Sequence, residues 1–158
     1  MHVQSLYYCN AIKSSEYAER EVKMNQTLLL IKPNAVRKNK VGAVLAALEE
    51  KGIIIRNMKM LTFTHDCAEE FYVIHRGKPF FENLISFMTS GPIVAAVLEH
   101  ENCVEYVRRV IGNTDPIKAA DGTIRKLYGD SLTENAVHAS DSDENAERET
   151  AIVFGERF

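Results

Sequence analysis

His138 lies in a segment whose residue types could support nucleophilic catalysis. The apolar pair Ala136-Val137 precedes it, hydroxyl and carboxylate side chains follow it, and Glu149 comes 11 residues later. Neutral imidazole is a competent nucleophile near pH 7, because its unperturbed pKa is about 6.5. One ring nitrogen would attack while an acceptor on the other nitrogen fixes the tautomer. A lone histidine more often has a packing or surface role, so the hypothesis depends on the rest of the chain.

Arg108 is the clearest candidate for holding an anion beside this histidine. It shares a helical stripe with Val104, Val107 and Ile111, which places it on the apolar, inward face of a predicted helix. An inward arginine needs an anion, and the guanidinium fork suits phosphate. A buried arginine–carboxylate pair with a structural role is an equal alternative.

Two other basic residues are less informative alone. Lys32 ends a predicted buried strand, where ligands of α/β sheets commonly gather, and Arg125 ends a long polar loop. A solvated role is the simpler interpretation of each, but three converging cations would form an anion site. Arg109 is predicted to point away from Arg108 and to pair with Glu105.

A carboxylate and an aromatic pair complete the candidates. Glu149 shares a stripe with Ala146 and Val153 on the last predicted helix, so it faces inward and needs a partner. His138 is the proposed partner, and an arginine is the alternative. The pair Phe80-Phe81 fits a core role best, although a phenylalanine at a helix start could stack on a nucleic-acid base.

Composition restricts the class of protein. The chain has 158 residues, a net charge of −3 and 46% hydrophobic residues, which suits one globular domain. There is no basic tract, so we expect no specific nucleic acid as a partner. No apolar run approaches the roughly 20 residues of a membrane span. The three separated cysteines suit a reducing compartment, and we expect a cytoplasmic protein with no membrane partner.

The order of predicted elements indicates the fold class. Strands are predicted at 27–31, 53–63, 93–98 and 135–139, and helices at 41–51, 66–75, 80–89, 102–111 and about 143–154. Asp66 with Glu69 fits a capping box, and residues 112–124 form a long loop, which is usually functional or disordered. The pattern predicts an α+β or α/β sandwich with one sheet.

Residues 1–24 differ from the rest of the chain. Their apolar start is too short and too weakly basic for a signal peptide. We predict a disordered N-terminal extension, or a start assigned upstream of a true start at Met24. The single domain is then predicted to span residues 25–158.

A set of short motifs resembles one known family. No glycine-rich phosphate-binding motif is present. The segment 135–142 nevertheless resembles the active-site signature of nucleoside diphosphate kinases, in a form similar to the bacterial members. Further family motifs occur in order at 31–33, 71–72, 78–81, 90–92 and 122–125. The resemblance covers about residues 25–155.

This resemblance implies a fold and a reaction. The fold would be ferredoxin-like, with a four-stranded antiparallel sheet and helices on it. The reaction would be ping-pong transfer of the γ-phosphate of a nucleoside triphosphate, mainly ATP, to a nucleoside diphosphate. His138 matches the histidine that carries the phosphate, Glu149 the glutamate that orients it and Ser140 the serine near it. Tyr72 matches the tyrosine beside Lys32 and the histidine.

The resemblance also implies the nucleotide contacts and the partners. Phe80 matches the base-stacking phenylalanine, Thr114 a threonine that contacts phosphate and Asn135 the asparagine that bonds the sugar. The phosphate-holding cations are matched by Lys32, Arg108 and Arg125. Mg²⁺ would be held through the nucleotide phosphates, with no direct protein ligand. The chain would form a homo-oligomer, either a tetramer or a hexamer, through the loop after Gly112.

One departure from the family pattern concerns Ala139, which stands where a glycine usually follows the histidine. Alanine would be strained there if the position needs a positive φ, but we expect activity to survive. Two rival functions remain. They are a non-catalytic nucleotide-binding module on the same fold, which a turnover assay would distinguish, and a nucleic-acid-binding protein, which a salt-dependent titration would test.

Overall fold

The computed structural model describes residues 24–155, apart from the side chain of Met24. The predictions for residues 1–23 lie outside these bounds.

One antiparallel sheet positions the rest of the described chain. Its four strands have the order β2-β3-β1-β4. They are β1 Met24–Ile31, β2 Ile54–Leu61, β3 Ile93–Glu101 and β4 Val137–Ala139. Continuous apolar runs, such as residues 28–31 of β1, are typical of strands buried on both faces, and these four side chains are fully buried. The predicted four-stranded antiparallel α+β fold is confirmed.

Seven α-helices connect and cover the strands within residues 24–155. They are α1 Pro33–Arg37, α2 Val41–Glu49, α3 His65–Phe71, α4 Phe81–Met88, α5 Cys103–Ile111, α6 Ile124–Tyr128 and α7 Asp143–Phe154. The apolar faces of α2 and α5 pack on one side of the sheet. Those of α3, α4 and α7 pack on the other, so the sheet is covered on both faces.

Three local predictions need correction. Pro33 does more than end β1, because it is the first residue of α1, where its missing N–H costs no helical hydrogen bond. The cap of α3 is Thr64, whose hydroxyl accepts the N–H of Cys67 at 3.2 Å, and Asp66 lies inside the first turn. The predicted helix 66–75 also breaks after Phe71 into a short 3-10 turn, Val73–His75.

The loop from Gly112 to α6 brings distant segments together. Gly112 has φ +89°, and a Cβ on it would lie 2.5 Å from Oγ1 of Thr123, so the position requires glycine. Its carbonyl accepts a hydrogen bond from Arg125 at 3.1 Å. The short helix α6, which the sequence did not predict, therefore holds Arg125 against the end of α5.

No helix within residues 24–155 is long and apolar enough to cross a membrane.

Candidate active site

The predicted site residues surround one cavity of about 460 Å³. It lies where the end of β1, the strand β4, the turn after α3 and the loop after α5 meet. Its lining includes most of the predicted set, namely Lys32, Tyr72, Phe80, Arg108, Thr114, Arg125, Asn135, His138 and Glu149. Residues separated by more than 100 positions in the sequence therefore meet in one cavity.

The His138 side chain is oriented through a single ring nitrogen. β4 pairs with β1, with His138 opposite Leu30. Nε2 lies 2.8 Å from Oε2 of Glu149, and the Ser140 hydroxyl donates to the same oxygen at 2.6 Å. Glu149 is 3% exposed on α7, so solvent does not compete for it. Nδ1 has no hydrogen bond to any described residue, which leaves it as the nitrogen available for attack.

Two aromatic rings restrict rotation of the imidazole from the α3 side. Phe71 lies 5.1 Å from the His138 ring centroid at 72°, and Tyr72 lies 5.7 Å away at 83°. Both are edge-on contacts, which aromatic rings favour. The Tyr72 hydroxyl is buried without a hydrogen-bond partner among the described residues. Such a group needs a partner, and a ligand in the cavity could supply one.

Lys32 and Arg125 are fixed by neutral oxygens. The Lys32 ammonium donates to Oδ1 of Asn135 at 2.8 Å and to the Thr133 carbonyl at 3.2 Å. The Arg125 guanidinium donates to the carbonyls of Gly112 and Val137. Carbonyl and amide oxygens orient a cation without neutralising its charge. Neither cation forms an ion pair within residues 24–155.

Burial of uncompensated charge shifts the pKa values of these groups. Lys32 is 5% exposed, and burial, together with the Arg125 charge, lowers the pKa of its ammonium to about 7. Burial and the Arg108 charge lower the pKa of Arg125 to about 10. Burial, and then the Glu149 charge, raise the pKa of the Tyr72 phenol well above its ordinary value. Each shift disfavours the charged form, and a bound anion would relieve the repulsion among the cations.

Arg108 and Arg109 face different surroundings, although the prediction for each is only partly met. Arg108 lines the cavity and donates to the Ala139 carbonyl at 3.4 Å, but it is exposed rather than buried. It forms no ion pair in the described part of the chain, so the structural arginine–carboxylate pair is absent there. Arg109 lies over the Tyr106 ring, 5.5 Å from its centroid, instead of pairing with Glu105.

Asn135 and Thr114 lie in the part of the cavity next to Lys32. The Asn135 amide accepts from Lys32 through Oδ1 and donates through Nδ2 to the Thr114 carbonyl at 2.9 Å. The loop after α5 is therefore linked to the end of β1 through one side chain. This position also fixes Lys32, a role that the sequence did not indicate.

The cavity mouth is apolar. Phe81 belongs to the core, as predicted for the pair, but Phe80 is 44% exposed at the mouth. Leu132, which is 63% exposed, and Ile74 line the same cavity. Exposed apolar side chains beside buried cations suit a ligand with an apolar ring at one end and phosphates at the other.

The sequence did not single out His75 as a site residue. Its ring stacks on Tyr72 at 6.2 Å and contacts Phe80 at 5.4 Å, and it lines the cavity. Burial, followed by the Lys78 and His138 charges, lowers the pKa of its imidazole. The sequence feature that could have identified His75 is its spacing of three residues from Tyr72, which places both side chains on one face of a helical turn.

A positive φ occurs at Ala136 and not at Ala139. Ala139 belongs to β4 and is not among the residues with positive φ, so the condition under which alanine would be strained there is not met. Ala136 has φ +72°, and the N–H of Val137 donates to the Asn135 carbonyl at 2.9 Å. A γ-turn with positive φ is strained, and here it lies between Asn135 and His138.

Comparisons with known proteins agree on one family. A family model described as nucleoside diphosphate kinase matches residues 25–158. A nucleoside diphosphate kinase of Staphylothermus marinus is 52% identical over 129 residues, which cover 82% of this chain and 92% of that relative.

Solved structures lead to the same family. The nucleoside diphosphate kinase of Aquifex aeolicus has a TM-score of 0.81 and 43% identity, covering 84% of this chain and 96% of its own. That of Halobacterium salinarum, solved in complex with CDP, has a TM-score of 0.81 and 38% identity, covering 85% and 90%.

Proposed function

This chain belongs to the nucleoside diphosphate kinase family, and from that premise we propose that His138 carries the phosphoryl group between nucleotides. The enzyme transfers phosphate from a nucleoside triphosphate to a nucleoside diphosphate. In the first half-reaction, Nδ1 of His138 bonds to the γ-phosphorus while the bond to the bridging oxygen breaks, and the diphosphate leaves. A second diphosphate then takes the group by the reverse displacement.

The observation that carries this proposal is that the two ring nitrogens of His138 have different surroundings. Nε2 is held by a buried carboxylate at 2.8 Å, while Nδ1 is unpartnered among the described residues. A fixed tautomer with one exposed lone pair is what a nucleophilic histidine requires. Ser140 supports the orienting carboxylate with a second hydrogen bond at 2.6 Å.

The cations supply the electrostatic part of catalysis. Phosphoryl transfer passes through a loose transition state with charge spread over phosphate oxygens, so stabilisation comes mainly from position and charge. We assign this work to Lys32, Arg108 and Arg125, with the Tyr72 hydroxyl and Thr114 as hydrogen-bonding groups. The two buried cations are already oriented by carbonyl and amide oxygens, so little reorganisation is needed when the nucleotide binds.

The cavity mouth supports binding of any common base. Phe80 and Leu132 offer apolar surface on which a base can stack, and stacking reads no base edge. Asn135 is assigned to the sugar. Its amide is engaged by Lys32 and Thr114, so sugar binding would share or replace one of these hydrogen bonds.

Members of the family use a divalent cation, and we propose Mg²⁺ held through the nucleotide phosphates. Within residues 24–155, no group of three or more His, Cys, Asp or Glu could hold a metal ion. A cavity rich in cations fits a metal brought in by phosphates, which is how Mg²⁺ commonly binds in kinases. Lys32, Arg108 and Arg125 would hold those phosphates, and the ion would neutralise charge on their oxygens.

We also propose a homo-oligomer, either a tetramer or a hexamer, of a domain spanning residues 25–158 in the cytoplasm. The edge strand β2 exposes Ile54, Met58 and Met60, and the loop after α5 exposes Ile117. Exposed apolar edges of this kind are usually covered by a partner. Cys67 and Cys103 are both free, which suits a reducing compartment.

Arg108 and Arg109 provide a matched pair of substitutions. We expect Arg108→Ala to lower kcat/KM for ATP about ten- to a hundredfold, since a charge-assisted hydrogen bond contributes about 1.5–3 kcal/mol. Arg109→Ala should change it less than about twofold, because that side chain lies over Tyr106 at the surface. Steady-state kinetics on both variants tests this, and equal losses would show that Arg108 has no special place in the site.

The low pKa of Lys32 predicts proton uptake when a nucleotide binds. With a pKa of about 7, Lys32 is mostly neutral in the free enzyme near pH 8. Bound phosphates favour the ammonium, so binding should take up close to one proton at about pH 8 and fewer at about pH 6, where Lys32 is already charged.

Calorimetric titration of ADP in two buffers of different ionisation enthalpy measures this uptake. Lys32→Arg, which stays charged throughout, is the control and should lose it. Equal uptake by both proteins would rule out Lys32 as the group that takes up the proton.

Initial-rate kinetics test the proposed two-step reaction. Varying ATP at several fixed concentrations of a second nucleoside diphosphate should give parallel double-reciprocal lines, because the first product leaves before the second substrate binds. Converging lines would indicate direct transfer between two bound nucleotides. ATP binding without turnover would instead favour a non-catalytic module.

A further inference from the structure

The side chains that orient His138 form two walls, one from each of two separate helices. The edge-on rings of Phe71 and Tyr72 lie at the C-terminal end of α3. The carboxylate of Glu149 lies on α7. Neither helix alone can fix the imidazole, so the geometry of the nucleophile depends on how α3 and α7 are held together.

Arg148 joins these two walls directly. From α7, its guanidinium donates to the carbonyls of Glu70 at 3.4 Å and Phe71 at 3.3 Å. Its Nη2 also lies 3.5 Å from Oε1 of Glu149. The side chain is 31% exposed, so it is partly shielded from water. An arginine fork suits this task because several donors point in fixed directions from one planar group.

The two oxygens of Glu149 have different partners. Oε2 accepts from Ser140 and faces Nε2 of His138, whereas Oε1 faces Arg148. A carboxylate held at one oxygen can still turn about its last torsion, because that torsion is broad. A cation on the second oxygen limits this rotation and so fixes the direction in which Oε2 faces the imidazole.

We infer that Arg148 is a positioning residue for phosphoryl transfer. It acts by fixing the Glu149 carboxylate and the rings of Phe71 and Tyr72 in place around His138. It does not itself line the cavity, which it reaches only through Glu149, and it touches no reacting atom. The inference rests on the proposed role of His138 as the phosphate carrier. A purely structural tie between α3 and α7 is the competing account, and it predicts no energetic coupling to Glu149.

A double-mutant cycle separates these two accounts. The rate of phosphoenzyme formation from labelled ATP is measured for Arg148→Met in the native background and in a Glu149→Gln background. We expect a loss of about tenfold in the first and less than about twofold in the second, because residues that act through one another are not additive. The dissociation constant for ADP should stay within about twofold, since the phosphate cations are untouched.

Arg109→Met is the matched control, since it removes one surface arginine away from these walls, and it should leave the rate unchanged. Thermal unfolding of every variant checks the fold. If Arg148→Met does not fold, Arg148→Lys, which keeps the charge and removes the fork, enters the same cycle.

The same loss in both backgrounds, or no loss in either, would overturn the positioning role. Absence of any phosphoenzyme in the native protein would instead overturn the proposed role of His138.

Discussion

Replacing His138 with alanine is expected to abolish phosphotransfer, lowering kcat by more than about ten-thousand-fold, as loss of a covalent nucleophile does in other enzymes. The substitution removes the only protein atom that bonds to phosphorus in the proposed reaction. Nucleotide binding should persist, because Lys32, Arg108 and Arg125 are anchored by groups other than His138. A coupled turnover assay and equilibrium titration with ADP measure the two effects separately.

The matched control is His65→Ala. His65 is an exposed histidine on α3, near Glu69 at 3.8 Å, and its loss should leave turnover unchanged. Transfer at the native rate by His138→Ala would show that another group carries the phosphate or that transfer is direct.

The second large effect is expected for Lys32→Met, which should lower kcat by about a hundred- to a thousandfold, the usual result of removing one preorganised donor from a transition state. Methionine keeps much of the buried stem and removes the ammonium group. It also leaves Oδ1 of Asn135 and the Thr133 carbonyl without their donor, which adds a cost in the folded protein.

Rapid-quench measurement of the first half-reaction isolates the chemical step in this variant. Lys51→Met is the control, because Lys51 is an exposed lysine in the turn after α2. A loss confined to KM, with kcat unchanged, would mean that Lys32 binds the ground state and the transition state equally well.

The sequence predicted the strands and the longer helices because their apolar periodicity is strong. Residues 28–31 of β1 form an unbroken apolar run that is buried as predicted, and the predicted inward stripe of α7, with Ala146, Glu149 and Val153, is also buried. The pairing of Glu149 with His138 followed from the same argument, because an inward carboxylate needs a nearby partner.

Other features depended on tertiary contacts that no local pattern contains. The five-residue helices α1 and α6 are too short to leave a periodic signal, yet they position Lys32 and Arg125. His75 and Leu132 enter the cavity through turns, where side-chain direction depends on the fold. The positive φ of Ala136 arises from the turn before β4 rather than from a residue type that favours it.

The exposed position of Arg108 has a similar origin. Its stripe correctly predicted which side of α5 it occupies, since Val107 and Ile111 are buried. That side, however, borders an open cavity at Arg108 instead of the core. Periodicity identifies the inward face of a helix, but it does not distinguish a packed interior from a binding site.

The most direct test of the account is to incubate the protein with γ-labelled ATP and Mg²⁺ and then to add GDP. We expect the label to appear first on the protein, in an acid-labile and base-stable linkage at His138, and then to move to GTP. Label that reaches GTP without ever residing on the protein, or that stays on a residue other than His138, would contradict the proposed mechanism.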